Sequence, residues 1–279
     1  MDCAICGKTI SRLGLCNSCA ADLIRRRNAY VYPAVHVAIQ EGEGDEWIIP
    51  PRHSITFRSA DNDRLSSSVA LDQYHHALLC SPHWHGVVAG LASVVYWGFF
   101  SGADGVERDG RARARVMWFL RGRPGNVPLD VESAFLAVKA ARTLAAKGQM
   151  GLALAEVSKL RELGQVSFAS KVLTFLCPGR AGVFDSRIAE RILRDPRLAH
   201  LTMNPNQGGV TNPKQLRYHA WCEHCTAVAG KLNRGIAAGK PWHWVDWDCS
   251  TPQWRAVDVE RALFVQGRRP LRAMHQPTT

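Results

Sequence analysis

Apolar positions recur at helical spacing over residues 65 to about 100, and again over 131–148, 152–163, 167–176, 186–193, 216–233 and 255–264. Residues 28–64 read differently. Short β-like pieces, YVYPAVHVAI and SITF, lie there among the polar linkers EGEGDE and PPRH. Two stretches rich in Gly, Pro and Arg, SGADGVERDGRARAR and RGRPGNVPLD, flank the apolar VMWFL and read as loops. Asp130 stands immediately before VESAFLAVKAARTLAAKG, where a carboxylate caps a helix N-terminus. The pattern predicts a mainly α protein.

Residues 86–103, GVVAGLASVVYWGFFSGA, carry no charge and approach the lower length limit of a membrane span. The run holds four glycines and borders the polar DGVERDGRARAR, so it reads as a buried core helix.

Composition narrows the picture. A chain of 279 residues with 46% hydrophobic content and nine tryptophans has enough apolar surface for a sizeable core. The net charge of +11 points to an acidic partner, nucleic acid foremost. Nine cysteines is an odd number, and no charged-then-apolar leader precedes the first, which sets the expectation of a reducing cytosol.

Four of those cysteines form two C-x2-C pairs, Cys3/Cys6 and Cys16/Cys19. Each pair presents two thiolates on one side of a tight knuckle, and two knuckles complete a tetrahedral four-cysteine zinc site with no open position. Residues 1–27 therefore form a small zinc finger, because so short a segment needs a metal to fold. Its closing run, Arg25, Arg26 and Arg27, fits either phosphate contact or a solvated face. A third pair, Cys222 and Cys225, falls inside a helical pattern and reads as buried small hydrophobes. Cys80 in CSPHWHG and the WHW at 242–244 offer histidines but no ligand set.

The stretch SFASKVLTFLCPGRAGVFDSRIAERIL, residues 167–193, carries the candidate chemistry. Phe168, Val172, Phe175 and Leu176 form one apolar stripe, and Lys171 falls on its flank, roughly 90° from the centre. Such a lysine snorkels, or loses proton affinity by partial burial and becomes a nucleophile. Asp185 precedes SRIAERIL as a helix cap, which also fixes a carboxylate beside any cleft there. Upstream, SKLRELGQVSFASKVL reads as a helix, a hairpin at Leu163-Gly164-Gln165-Val166, and a second helix beginning near Ser167.

A helix-hairpin-helix, a lysine on its second helix, a Pro-Gly turn and then an aspartate at the next helix start resemble the helix-hairpin-helix DNA glycosylase superfamily. FASKVLTFL followed by P and FDSR is most similar to the prokaryotic 8-oxoguanine-glycosylase-like group, which includes antiphage-defence glycosylases. The likeness spans roughly residues 65–265, is sharpest over 160–193 and leaves out the cysteine unit. The hairpin departs from the pattern in lacking a second glycine, and only 14 positions separate Lys171 from Asp185.

The resemblance implies a two-lobed helical glycosylase-type domain over 28–279 that excises a flipped base by attack of Lys171 at C1′. Asp185 would stabilise the cationic sugar, and strand cleavage by β-elimination could follow. It implies DNA contact through Gly164, Gln165, Val166 and Ser167. Arg111, Arg113, Arg180 and Arg187, with Arg115, Arg121 and Arg123, would follow the phosphate backbone. Base-pocket walls are expected from Trp97, Trp221 and Phe184, with Tyr96 beside them. Expected substrates are oxidised guanine or a bulky phage base such as glucosylated hydroxymethylcytosine, bound by a monomer. The rival reading is a non-catalytic zinc-containing DNA-binding module that recruits a partner.

Overall fold

A computed structural model of the chain describes residues 3, 5–9, 14–41, 48–49, 53–60, 65–100, 105–123, 125 and 127–266. Ten α-helices and one small sheet are seen among them: α1 (Asn17–Asn28), β1 (Val35–Glu41), β2 (Ile48–Ile49), β3 (His53–Ser59), α2 (Ser68–Leu79), α3 (Trp84–Phe100), α4 (Gly105–Arg121), α5 (Val131–Ala146), α6 (Met150–Ser158), α7 (Val166–Leu176), α8 (Ser186–Leu193), α9 (Asn212–Ala237) and α10 (Ala256–Gln266). The protein is mainly helical, as its pattern predicts. Most of the two polar linkers between the strands lies outside the described residues.

The three strands run antiparallel in the order β1-β3-β2, with Val37 opposite Phe57 and Ile39 opposite Ile55. The Val37 amide donates to Ser93 Oγ at 2.9 Å, tying the sheet to α3. That helix holds the apolar run from Gly86 to Phe100; residues 101–103 of the run lie outside the described residues. Residues 86–97 are all buried, and among the described residues no helix is long and apolar enough to cross a membrane. The helical pattern of 65–100 is broken after α2, where Pro82 cannot donate a backbone hydrogen bond.

One predicted loop is a helix. GVERDGRARAR continues into VMWFL as a single 17-residue helix, α4. Arginine and alanine are good helix formers, and Arg113 bonds Asp109 one turn away at 2.7 Å, outweighing Gly110 in the helix interior.

A buried charge cluster joins the two ends of the chain. Arg27, 3% exposed at the end of α1, donates to Asp258 of α10 at 3.1 Å and to Ser68 Oγ at 2.9 Å. Its guanidinium also lies 3.7 Å from the centre of the Trp244 ring. Arg27 is thus neither a solvated charge nor a phosphate ligand. Arg255 and Arg261 both bond Asp72 of α2, and Tyr32 Oη donates to the same carboxylate at 2.6 Å. Buried charges persist only when paired in this way. The cluster holds α1, α2 and α10 together and so fixes where α10 presents its other face.

Candidate functional site

Two centres emerge. In the first, the sulfurs of Cys3, Cys6, Cys16 and Cys19 all lie within 4.8 Å of one another. Cys3 and Cys6 stand 3.6 and 3.7 Å from Cys16, measured between sulfurs. A tetrahedral ion with metal–sulfur bonds of about 2.3 Å sets its ligands about 3.8 Å apart, so the spacing fits one metal. Gly7, at φ +71°, turns the first knuckle so that its amide returns to the Cys3 carbonyl. Burial and the neighbouring sulfurs push the Cys19 thiol well up, so the four do not ionise together without a cation. The knuckle faces Arg197, whose Nη1 lies 3.6 Å from where a Gly7 side chain would start. Asp195 holds that arginine through two bonds of 2.8 and 2.6 Å.

Metal removal has a readable consequence, because Cys16 stands at the N-cap of α1, the helix that carries Arg27 into the buried cluster. Incubation with a strong chelator is expected to lower the thermal midpoint by about 5 °C or more, with recovery on adding one equivalent of metal. An unchanged midpoint after verified metal loss would overturn the structural role.

The second centre lies between α7, the turn after it and α10. Val172, Phe175 and Leu176 of α7 are buried, while Phe168 and Lys171 sit half-buried at the edge. The Lys171 stem lies across Gly98 of α3, where an added Cβ would stand 2.9 Å from Lys171 Cδ. Its amine reaches 5.0 Å from the centre of the Phe168 ring. Burial lowers the amine's hold on its proton, against the opposing pull of Asp185 and Glu260.

Asp185 caps α8 as its position predicts, accepting from the amides of Arg187 at 3.0 Å and Ile188 at 3.1 Å. The chain reaches it through Pro178-Gly179 and a buried segment in which Trp221 Nε1 donates to the Val183 carbonyl at 3.1 Å. Ser170 Oγ accepts from the Phe184 amide at 3.1 Å, fastening that segment to α7 one residue before Lys171.

Glu260 of α10 completes the group, and no sequence pattern pointed to it. It is 3% exposed and packs on Gly182, where an added Cβ would stand 2.9 Å from Glu260 Cβ. Burial, reinforced by the nearby Asp185 charge, holds its carboxyl well above the usual range. The half-buried Tyr30 lies within electrostatic reach of the same carboxylates, and Phe264, also half-buried, packs edge-to-face against it with centroids 5.6 Å apart. Arg187 lies over Phe264 at 4.7 Å. The one available signal was that Glu260 and Phe264 share a face of α10 at i, i+4.

The expected pocket walls need correction. Trp221 and Phe184 are 0% exposed and pack edge-to-face, 5.9 Å apart. They support the turn from beneath and present no face to a ligand. Trp97 is 5% exposed, wedged between Tyr32 and Phe175. Tyr96 is also buried. The half-buried ring beside the carboxylates is instead Tyr30, with Phe264 packed against it.

The hairpin divides likewise. Val166 is 0% and Ser167 6% exposed, and the Ser167 amide donates to the Pro205 carbonyl at 3.3 Å, so neither side chain meets an outside partner. Gly164 and Gln165 line a cleft of about 400 Å³ with Phe99, Phe168, Arg115 and Arg123. Arg111 and Arg121 are exposed on α4, and Arg180 is exposed on the turn after α7. Arg113 and Arg123 are occupied by Asp109 and Glu162. Cys222 and Cys225 are buried within α9. Compared with known proteins, the chain matches no family model, no curated protein and no solved structure.

Proposed function

We propose that the chain is a DNA glycosylase, carried by a helix-hairpin-helix domain and braced by a structural zinc ion on Cys3, Cys6, Cys16 and Cys19. The observation that carries the reading is the placement of Lys171: a half-buried amine between Gly98 and Phe168, within electrostatic reach of two carboxyl groups. A surface lysine needs none of this, and a nucleophilic one needs all of it.

In this reading the modified nucleotide is flipped toward Tyr30 and Phe264, and the free amine of Lys171 attacks C1′. The bond from C1′ to the base breaks as the new C1′–N bond forms, and the base leaves with the electron pair. The Asp185 carboxylate, held by its two amide bonds, stabilises the positive sugar. The adduct loses an amine proton, the C1′–O4′ bond breaks as the nitrogen lone pair forms the imine, and O4′ leaves with the electron pair and takes up a proton. Strand cleavage by β-elimination can proceed from that open-chain imine. Gly164 and Gln165 at the hairpin, with the exposed Arg111, Arg121 and Arg180, meet the phosphates.

The test is to incubate the protein with duplexes carrying 8-oxoguanine, glucosylated hydroxymethylcytosine or only ordinary bases, with borohydride present. Base release and a covalent complex on one modified duplex are expected. No release from any modified DNA would leave a binding module. A milder variant probes the placement itself. Gly98→Ala puts a methyl against the Lys171 stem, and trapping is expected to slow roughly 10²-fold with the helical circular dichroism unchanged, since small misplacements of reacting groups are costly. Trapping at the parent rate would show that the contact with Gly98 does not aim the amine.

A further inference from the structure

The end of α2 lies outside both centres. His76 is in its last turn, and Cys80 caps it four residues on, so the two side chains share one helix face. His76 Nδ1 lies 3.0 Å from the carbonyl oxygen of Phe175 on α7. A carbonyl only accepts, so Nδ1 carries the proton and Nε2 is left as the basic nitrogen, with Cys80 Sγ against the ring at 3.6 Å from Nε2 and 3.9 Å from Nδ1. Nucleophile, base and a fixed group that orients the base are the three parts of an activated thiol.

The surroundings favour the thiolate. Burial alone would raise the half-buried Cys80, but the His76 hydrogen bond and charge, with Arg142, outweigh it and bring the thiol down. His76 is pushed up, chiefly by its bond to the sulfur. Arg142 of α5 also donates to the Cys80 carbonyl at 3.0 Å. Cys177, at the end of α7, is a further titratable group within electrostatic reach of Cys80.

A cleft of about 210 Å³ opens at this end of α2, lined by Leu79 and Ser81 on either side of Cys80 in the chain, by Phe135, and by the exposed cations Lys139 and Arg142, the second of which also reaches the thiol. No carboxylate lines it. We propose that Cys80 is a reactive thiolate that forms a mixed disulfide with a small anionic thiol, whose carboxylates rest on Lys139 and Arg142. The reagent is the disulfide of that thiol. Cys80 Sγ attacks one of its sulfurs, a new S–S bond forms as the old one breaks, and the electron pair leaves with the departing thiolate. Cys80 is oxidised, and half of the reagent is reduced.

The site is tested on the metal-loaded full chain with oxidised glutathione as the anionic probe and hydroxyethyl disulfide as the neutral one. Peptide mass spectrometry follows Cys80 against the exposed Cys249. Cys80 is expected to take up glutathione at least ~10-fold faster than Cys249. Lys139→Gln is expected to slow glutathione uptake and leave the neutral reaction unchanged. His76→Asn is expected to move the pH midpoint of Cys80 alkylation by iodoacetamide upward. Equal rates at Cys80 and Cys249, equal preference for the two disulfides, or an unmoved midpoint in His76→Asn would each overturn the assignment. Because alkylation needs no DNA, these outcomes stand apart from the glycosylase reading.

Discussion

Lys171→Gln is expected to fold like the parent, to form no borohydride-trapped complex, and to release base at least ~10⁴-fold more slowly, the scale on which removal of a nucleophile acts. Folding should survive because Lys171 is half-buried at the edge of the α7 stripe, and the shorter glutamine leaves Gly98 and Phe168 in place. Asp185→Asn separates two roles of one residue. Asparagine caps a helix about as well as aspartate, so α8 should persist while the negative charge disappears. A loss of roughly 10²–10³-fold with unchanged stability is expected from that charge alone. Asp185→Ala removes the cap as well and should cost about 1 kcal/mol of stability. Base release without any trapping would assign the attack to water and take the nucleophile role from Lys171.

What was legible in the sequence was local. The four cysteines could be placed from two C-x2-C spacings, and Asp185 and Asp130 from their positions just before helical patterns; each is settled within a turn or two of chain. Lys171 was placed at the stripe edge by α7 periodicity alone. What gave it a chemical setting was not local. Gly98 lies 73 positions upstream in the sequence and Glu260 lies 89 downstream, and no spacing relates either one to Lys171. The same limit explains Trp221 and Phe184. Phe184 is near the turn in sequence and Trp221 lies 38 positions beyond Val183, but which side of the turn either occupies follows from α9 packing beneath it. Arg27 shows the limit most sharply. In a run of three arginines it reads as surface, yet its partner is 231 positions away. In α4 the cause is different: Gly and Arg density reads as loop, whereas the Asp109–Arg113 pair supports a helix.

The buried cluster gives the largest expected effect on stability. Asp72 is 1% exposed, and its oxygens accept from Tyr32 at 2.6 Å, Arg255 at 2.7 Å and Arg261 at 2.7 and 2.9 Å. Three guanidiniums, of Arg27, Arg255 and Arg261, share ion pairs with two carboxylates, Asp72 and Asp258, among the described residues. Asp72→Ala leaves Arg255 and Arg261 sharing Asp258, and should cost about 3–5 kcal/mol, a large part of an ordinary domain's total stability. Urea unfolding should show the loss as a lower midpoint at constant slope. Asp72→Asn keeps the shape and should cost less, with the same sign. Acid dependence gives a second reading. Burial alone would raise the Asp72 carboxyl, but Arg261 and Arg255 outweigh it and hold it well below the usual range. Its contribution is therefore fully present above the unfolded value of about 3.9 and is lost as pH falls below that. Between pH 5 and 3 the parent should lose stability more steeply than Asp72→Asn, which has no proton to bind there. Parallel slopes would mean that Asp72 is not held ionised by the cluster.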